Sequence, residues 1–179
     1  MLKLLAPAAR LMGEHWCDDS RDFMEVTLGM ARLQQLVRQF RLPPAAHDRL
    51  CGHALLVPVP GEQHTFGLRV VEEHLLRAGW KVSAHMKASE QDITRLAAAD
   101  LFDFVGFSIS SERLLPALRS AIRSLRSSSR NRNVRIAVGG VLFDGRDIAP
   151  QDIDVDAIVS DAQDAVNQAN EWSGLVGVK

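Results

Sequence analysis

Glu62 and His64 stand two residues apart in the segment PGEQHTFG (60–67). In extended chain that spacing places both side chains on one side. A carboxylate beside an imidazole can hold one ring nitrogen as a donor and leave the other free to bind a metal. Gly67 removes a side chain where backbone and ligand come close. Two further segments offer related chemistry. SISSE (108–112) presents the hydroxyls of Ser108, Ser110 and Ser111 and, at a helix start, amides suited to a phosphate. GGVLFDG (139–145) opens on Gly139-Gly140, a second place for close backbone approach. Each signal has a plainer reading. A lone loop histidine is commonly a surface hydrogen-bonder, paired glycines a tight turn, and serines helix caps. The set gains weight only if all three segments share one edge of the fold.

The pattern around them predicts that they do. From His53 onward, apolar runs at 54–60, 80–86, 102–110, 134–140 and 156–161 read as strands. Segments 64–79, 89–100, 111–129 and 162–172 read as helices. This alternation predicts an α/β fold: a five-stranded parallel sheet in a flavodoxin- or Rossmann-like three-layer α/β/α arrangement. The third and fourth strands are almost unbroken apolar runs, as expected when both faces are covered. Ligands of such sheets bind beyond the carboxyl ends of the strands. Segments 60–67, 108–112 and 139–145 follow the first, third and fourth strands.

Residues 1–50 differ and are expected to form a short helical cap before an α/β domain at 51–179. Phe23, Val26, Met30, Leu33, Val37 and Phe40 step by three or four, which puts all six on one helix face. Pro43-Pro44 ends that helix, and a shorter one is expected within 2–15. The chain has 179 residues, 46% hydrophobic and 24% charged, with a formal net charge of −1. That is ordinary for a globular protein, and overall charge selects no partner. No run approaches a membrane span, and no signal peptide is read. Cys17 and Cys51 cannot make a disulfide framework, so free thiols in the cytoplasm are expected.

Glu62-x-His64-x-x-Gly67, Ser108-x-Ser110 and Gly139-Gly140 together resemble the signature of cobalamin-binding domains of methionine synthase, corrinoid methyl carriers and mutases. Those usually show Asp-x-His-x-x-Gly, Ser-x-Leu and Gly-Gly, so Glu62 and Ser110 are departures. The likeness covers roughly 53–173. It implies that His64 replaces the cofactor's benzimidazole as lower axial ligand of cobalt, with Glu62 tuning it. The freed nucleotide tail would run beside the sheet. On this likeness Glu62, Thr65, Gly67, Ser108, Ser110, Gly139 and Gly140 contact the cofactor. The segment HWCDDSRDFMEVTLGMARLQQLV (15–37) is similar to the cap of AerR/PpaA-type antirepressors of photosynthesis genes and of their heme-binding relatives, the SCHIC sensors. Trp16 and Thr27 would then face the corrin from above. In B12-dependent photoreceptor repressors the cap carries Trp, nine residues, then Glu-His, and that histidine binds cobalt. Here Val26-Thr27 stands in its place, so the upper face is expected to be open to water or hydroxide. His15 is the candidate upper ligand.

Four function classes follow from this resemblance. The first is a non-enzymatic regulator: a cobalamin-binding, light- or redox-responsive antirepressor that acts through a DNA-binding transcriptional repressor, with adenosyl- or hydroxocobalamin bound. The second is a heme sensor on the same scaffold, the third a corrinoid protein carrying methyl groups for a methyltransferase, and the fourth a degenerate domain that binds only protein. No Ser-His-Asp set, phosphate-binding Walker loop or zinc motif is present, so an enzyme is not expected. Residues 113–135 hold seven arginines and no acid. Arg119, Arg123, Arg126 and Arg130 would form one stripe on the helix at 113–130, suited to an acidic partner or to DNA phosphate, or simply solvated. His47, His53, His74 and His85 are expected to be solvated or packing residues.

Overall fold

The computed structural model describes residues 8, 11, 23–39 and 51–174. The chain divides into two compact units, Met1–Pro43 and Pro44–Lys179. In the first, α1 spans Phe23–Gln39. It exposes Met24, Leu28 and Leu36. His15, Trp16, Cys17, His47 and nearly all of the expected helix at 2–15 lie outside the described residues, as do the side chains of Val26 and Thr27.

In the second unit five parallel strands alternate with helices: β1 (His53–Pro58), α2 (Phe66–Arg77), β2 (Lys81–Ala84), α3 (Glu90–Ala99), β3 (Phe104–Ser108), α4 (Leu115–Ser128), β4 (Arg135–Gly139), β5 (Ala157–Val159) and α5 (Ala162–Trp172). The sheet order is β2-β1-β3-β4-β5. The α/β flavodoxin-like class expected from the sequence is the one observed.

Side chains alternate across this sheet and are apolar on both sides. Leu55, Val57, Val105, Phe107, Ile136 and Val138 join Ile93, Leu118, Ile122 and Leu125 of α3 and α4 in one core. Ala54, Leu56, Phe104 and Ala137 join Leu68, Leu75, Val166 and Ala169 of α2 and α5 in the other. Each large aliphatic side chain buried this way stabilises by about 1.5–3 kcal/mol. Local chemistry sets the helix ends. Ser89 and Asp92 form a reciprocal capping box on α3, and Asp161 accepts from the Asp164 amide to start α5. Gly79 at φ 87° lets the chain leave α2.

Element ends differ from expectation where side chains compete with the regular pattern. The helix expected from residue 111 opens with a single 3₁₀ turn, Glu112–Leu114, and α4 follows with Pro116 in its first turn. The strand expected over 156–161 shrinks to three residues, because Asp156 folds onto its neighbours and Asp161 caps α5. His53 is a correction. Rather than being solvated, it is half-buried, with Nε2 2.9 Å from Ser83 Oγ and its ring against Phe102. No helix of the described residues is long and apolar enough to cross a membrane.

Candidate metal-ligand site at the sheet edge

The chain runs from β1 to β2 on one side, then crosses to β3 on the other. Loops leaving β1 and β3 therefore diverge at their carboxyl ends and leave a crevice between them. The β1 loop is turned back by Gly61 at φ 94°, with the Glu62 amide donating to the Val59 carbonyl at 2.8 Å. This turn, which its lone glycine could have signalled, brings Glu62 under the loop and His64 to its outside.

The Glu62 side chain is 2% exposed and the His64 side chain 81%. Oε1 of Glu62 accepts from the Gln63 amide at 2.8 Å, from the His64 amide at 2.7 Å and from His64 Nδ1 at 2.8 Å. Oε2 accepts from the Ser110 amide at 2.6 Å, across 48 residues of chain. Burial alone would raise the Glu62 carboxyl, but the bonds from Ser110 and His64 outweigh it and hold it at about 2. An ionised carboxylate can only accept, so Nδ1 of His64 is the protonated nitrogen, an assignment made from the network. Nε2 is left with its lone pair on an exposed ring. Ser110 Oγ also lies 3.2 Å from Nδ1.

The other expected residues fall at the same edge with distinct roles. Ser108 ends β3, and its Oγ is buried with no hydrogen-bond partner among the described residues. A Cβ added at Gly67 would meet nothing within 4 Å, so space stands open beside the start of α2. Thr65 sits at the N-cap of α2 without a side-chain capping bond. One correction concerns what these groups serve. The Ser110 amide, expected to be free for a phosphate, is taken by Glu62. The paired glycines also meet protein closely. A Cβ on Gly140 would stand 2.1 Å from the Ile109 carbonyl oxygen, and one on Gly139 3.0 Å from Val159. Val141, beside them, is an exposed apolar residue at this edge that the sequence reading passed over.

These residues fit a cobalt corrinoid. His64 offers a single nitrogen, and no group of three metal-binding side chains occurs among the described residues. One donor suits a metal whose equatorial positions a macrocycle already fills. The unpaired Ser108 hydroxyl and the space at Gly67 suit a polar ligand segment beside the sheet.

The expected arginine stripe is partly engaged within the domain, and Arg130 falls outside it because α4 ends at Ser128. Arg119 donates to the Asp152 carbonyl at 3.0 Å, Arg126 to the Asp156 carboxylate at 3.1 Å, and Arg130 to the Ala99 carbonyl at 3.0 Å. Hydrogen bonds from Ser124 and Ser120 lower the Glu90 carboxyl, and the charge of Arg123 adds a smaller part.

Comparison with known proteins gives a consistent picture. The model of the "B12 binding domain" family matches residues 52–169. The chain is 30% identical over 157 residues to an uncharacterized 20.5 kDa protein in the bchF-crtJ intergenic region of Rhodobacter capsulatus, covering 86% of this chain and 81% of that one. Among solved structures, the monomethylamine corrinoid protein of Methanosarcina barkeri superposes with a TM-score of 0.74 at 15% identity, covering 93% of this chain and 79% of the other. A cobalamin-binding protein from Desulfitobacterium hafniense gives 0.60 at 17% identity, with 96% and 80% covered. At such identities these two likenesses speak for the fold.

Proposed function

The chain belongs to the B12-binding domain family, and on that premise we propose that it is a non-enzymatic regulator whose cobalamin reports light or redox state to a DNA-binding repressor. The observation that supports the cobalamin part most directly is the orientation of His64. Its Nδ1 is held by a buried carboxylate and its other nitrogen faces outward on an 81% exposed side chain. The regulatory part is supported by the relative from the bchF-crtJ intergenic region, which is similar to this chain over most of both lengths.

A bound corrinoid would supply a cobalt centre responsive to light or oxidation state. The chain's own residues do the rest. His64 would offer Nε2 to the cobalt. Glu62 keeps the proton on Nδ1 and makes the ring a stronger donor. Ser110 ties that carboxylate to the β3 loop. Ser108 offers its hydroxyl to the nucleotide tail. Output would pass to the repressor through protein contact, with Arg123 the stripe residue best placed to add contact to DNA.

The absorption spectrum of the purified protein, loaded with adenosylcobalamin in the dark, tests this reading. We expect corrin bands that change on illumination or reduction, and a gel-shifted repressor–DNA complex that responds to one state only. A Soret band instead would favour the heme reading. Corrin bands unaffected by light and by reductant would remove the sensor role.

A further inference from the structure

We propose that Glu112 and Arg146 form a clasp that positions the His64 network from outside it. Their side chains make an ion pair between the 3₁₀ turn after β3 and the loop after β4. Neither residue belongs to the set that resembles the family signature, and neither touches His64. The inference rests on the cobalamin reading for its effect on cofactor, but not for its effect on the loops.

Three contacts connect the pair to the ligand. Glu112 lies two residues beyond Ser110, whose amide holds Oε2 of Glu62 at 2.6 Å. Arg146 lies six residues beyond Gly140, whose backbone packs so closely on Ile109 that no Cβ fits between them. The Ile109 amide in turn donates to the Gly139 carbonyl at 3.0 Å. The two loops therefore move together at their bases through backbone contacts and at their outer ends through the ion pair. Ser110 sits between these two ties. With the clasp closed, Ser110 is held on Glu62, and Glu62 holds the His64 ring. With the clasp open, the β3 loop is tied only at its base, and Ser110 can part from the carboxylate.

The pair is exposed, 60% for Glu112 and 48% for Arg146. Exposed pairs are weak and screened by salt. The clasp is thus a modest device, and its signature is dependence on ionic strength.

Two readouts on the full chain test it. One is hydrogen exchange of the Ser110 amide in protein free of cofactor, with the Val105 amide in the core as reference. The other is the dissociation rate of bound hydroxocobalamin, in low and in high salt. Arg146→Ala should speed both Ser110 exchange and hydroxocobalamin release by about two- to fivefold at low salt. The difference should vanish at high salt, and Val105 should be unaffected. The charge-swapped double variant E112R/R146E should restore the parent rates. Unchanged Ser110 exchange, no rescue by the swap, or equal acceleration at Val105 would each overturn the clasp. If the parent protein takes up no hydroxocobalamin, the cobalamin reading falls, and Ser110 exchange alone decides on the clasp.

Discussion

Oε1 of Glu62 lies 2.8 Å from Nδ1 of His64, with the carboxylate buried and the imidazole exposed. The buried member fixes the tautomer, and the exposed member is free to meet a ligand. This is the arrangement of a metal-binding histidine oriented by an outer carboxylate.

Glu62→Gln keeps the shape and removes the charge. Partners of this kind are worth 10- to 100-fold in metal affinity. We expect cobalamin affinity to fall about tenfold, measured by equilibrium dialysis. Unchanged affinity would show that the carboxylate does not tune His64.

Gly67 and Gly140 should respond oppositely to alanine. Gly67→Ala meets open space at the start of α2 and should leave thermal stability equal or raised by about 0.5–1 kcal/mol. Its cobalamin affinity should fall, because the methyl group enters the space offered to the ligand. Gly140→Ala must disturb both its φ of 128° and its packing on Ile109. We expect a loss of about 2–4 kcal/mol in urea unfolding. A Gly67→Ala protein that binds cobalamin as tightly as the parent would remove Gly67 from the site.

Much of this was legible in the sequence, for physical reasons. The strands are apolar on both faces because helices cover both faces, so they could be found as runs. Glu62 and His64 are local to each other, and their spacing alone placed them side by side. What escaped was long-range. The Ser110 amide reaches Glu62 across 48 residues, and nothing in the local pattern of SISSE says that its donor is already used. The glycines at 139 and 140 read as close-approach positions, but nothing local says that Ile109 and Val159 are the protein neighbours that require them. The arginine stripe was visible as a periodicity, but a period does not reveal that Arg119, Arg126 and Arg130 reach carbonyls and a carboxylate of neighbouring segments.

Asp156 should govern part of the acid stability. Burial would raise its carboxyl, but hydrogen bonds from the Ile136 amide, Arg135 and Arg126 outweigh burial and lower it below its ordinary value. A carboxyl lowered in the folded state stabilises fully above its unfolded value, near 3.8, and that stability is lost as pH falls through the folded value. Asp156→Asn should cost about 1–3 kcal/mol at neutral pH and much less at pH 2, as read from urea unfolding at both. An equal loss at the two pH values would exclude the charge as the cause.

Reversing the arginines separates surface from scaffold. Arg123→Glu should leave urea unfolding within about 0.5 kcal/mol of the parent. Arg126→Glu should destabilise by about 2 kcal/mol or more, because it sets like charges together at Asp156. If Arg123→Glu also spares repressor and DNA binding in pull-down and gel shift, the stripe has no part in recognition.

The most direct test of the central claim is electron paramagnetic resonance of the protein loaded with cobalamin and reduced to cobalt(II). A single axial nitrogen splits the cobalt lines into triplets if it is ¹⁴N and into doublets if it is ¹⁵N. Protein labelled with ¹⁵N only in histidine should show doublets, and His64→Ala should lose them. Triplets that persist in the labelled protein would mean that the cofactor's own benzimidazole stays on cobalt, and that His64 is not its ligand.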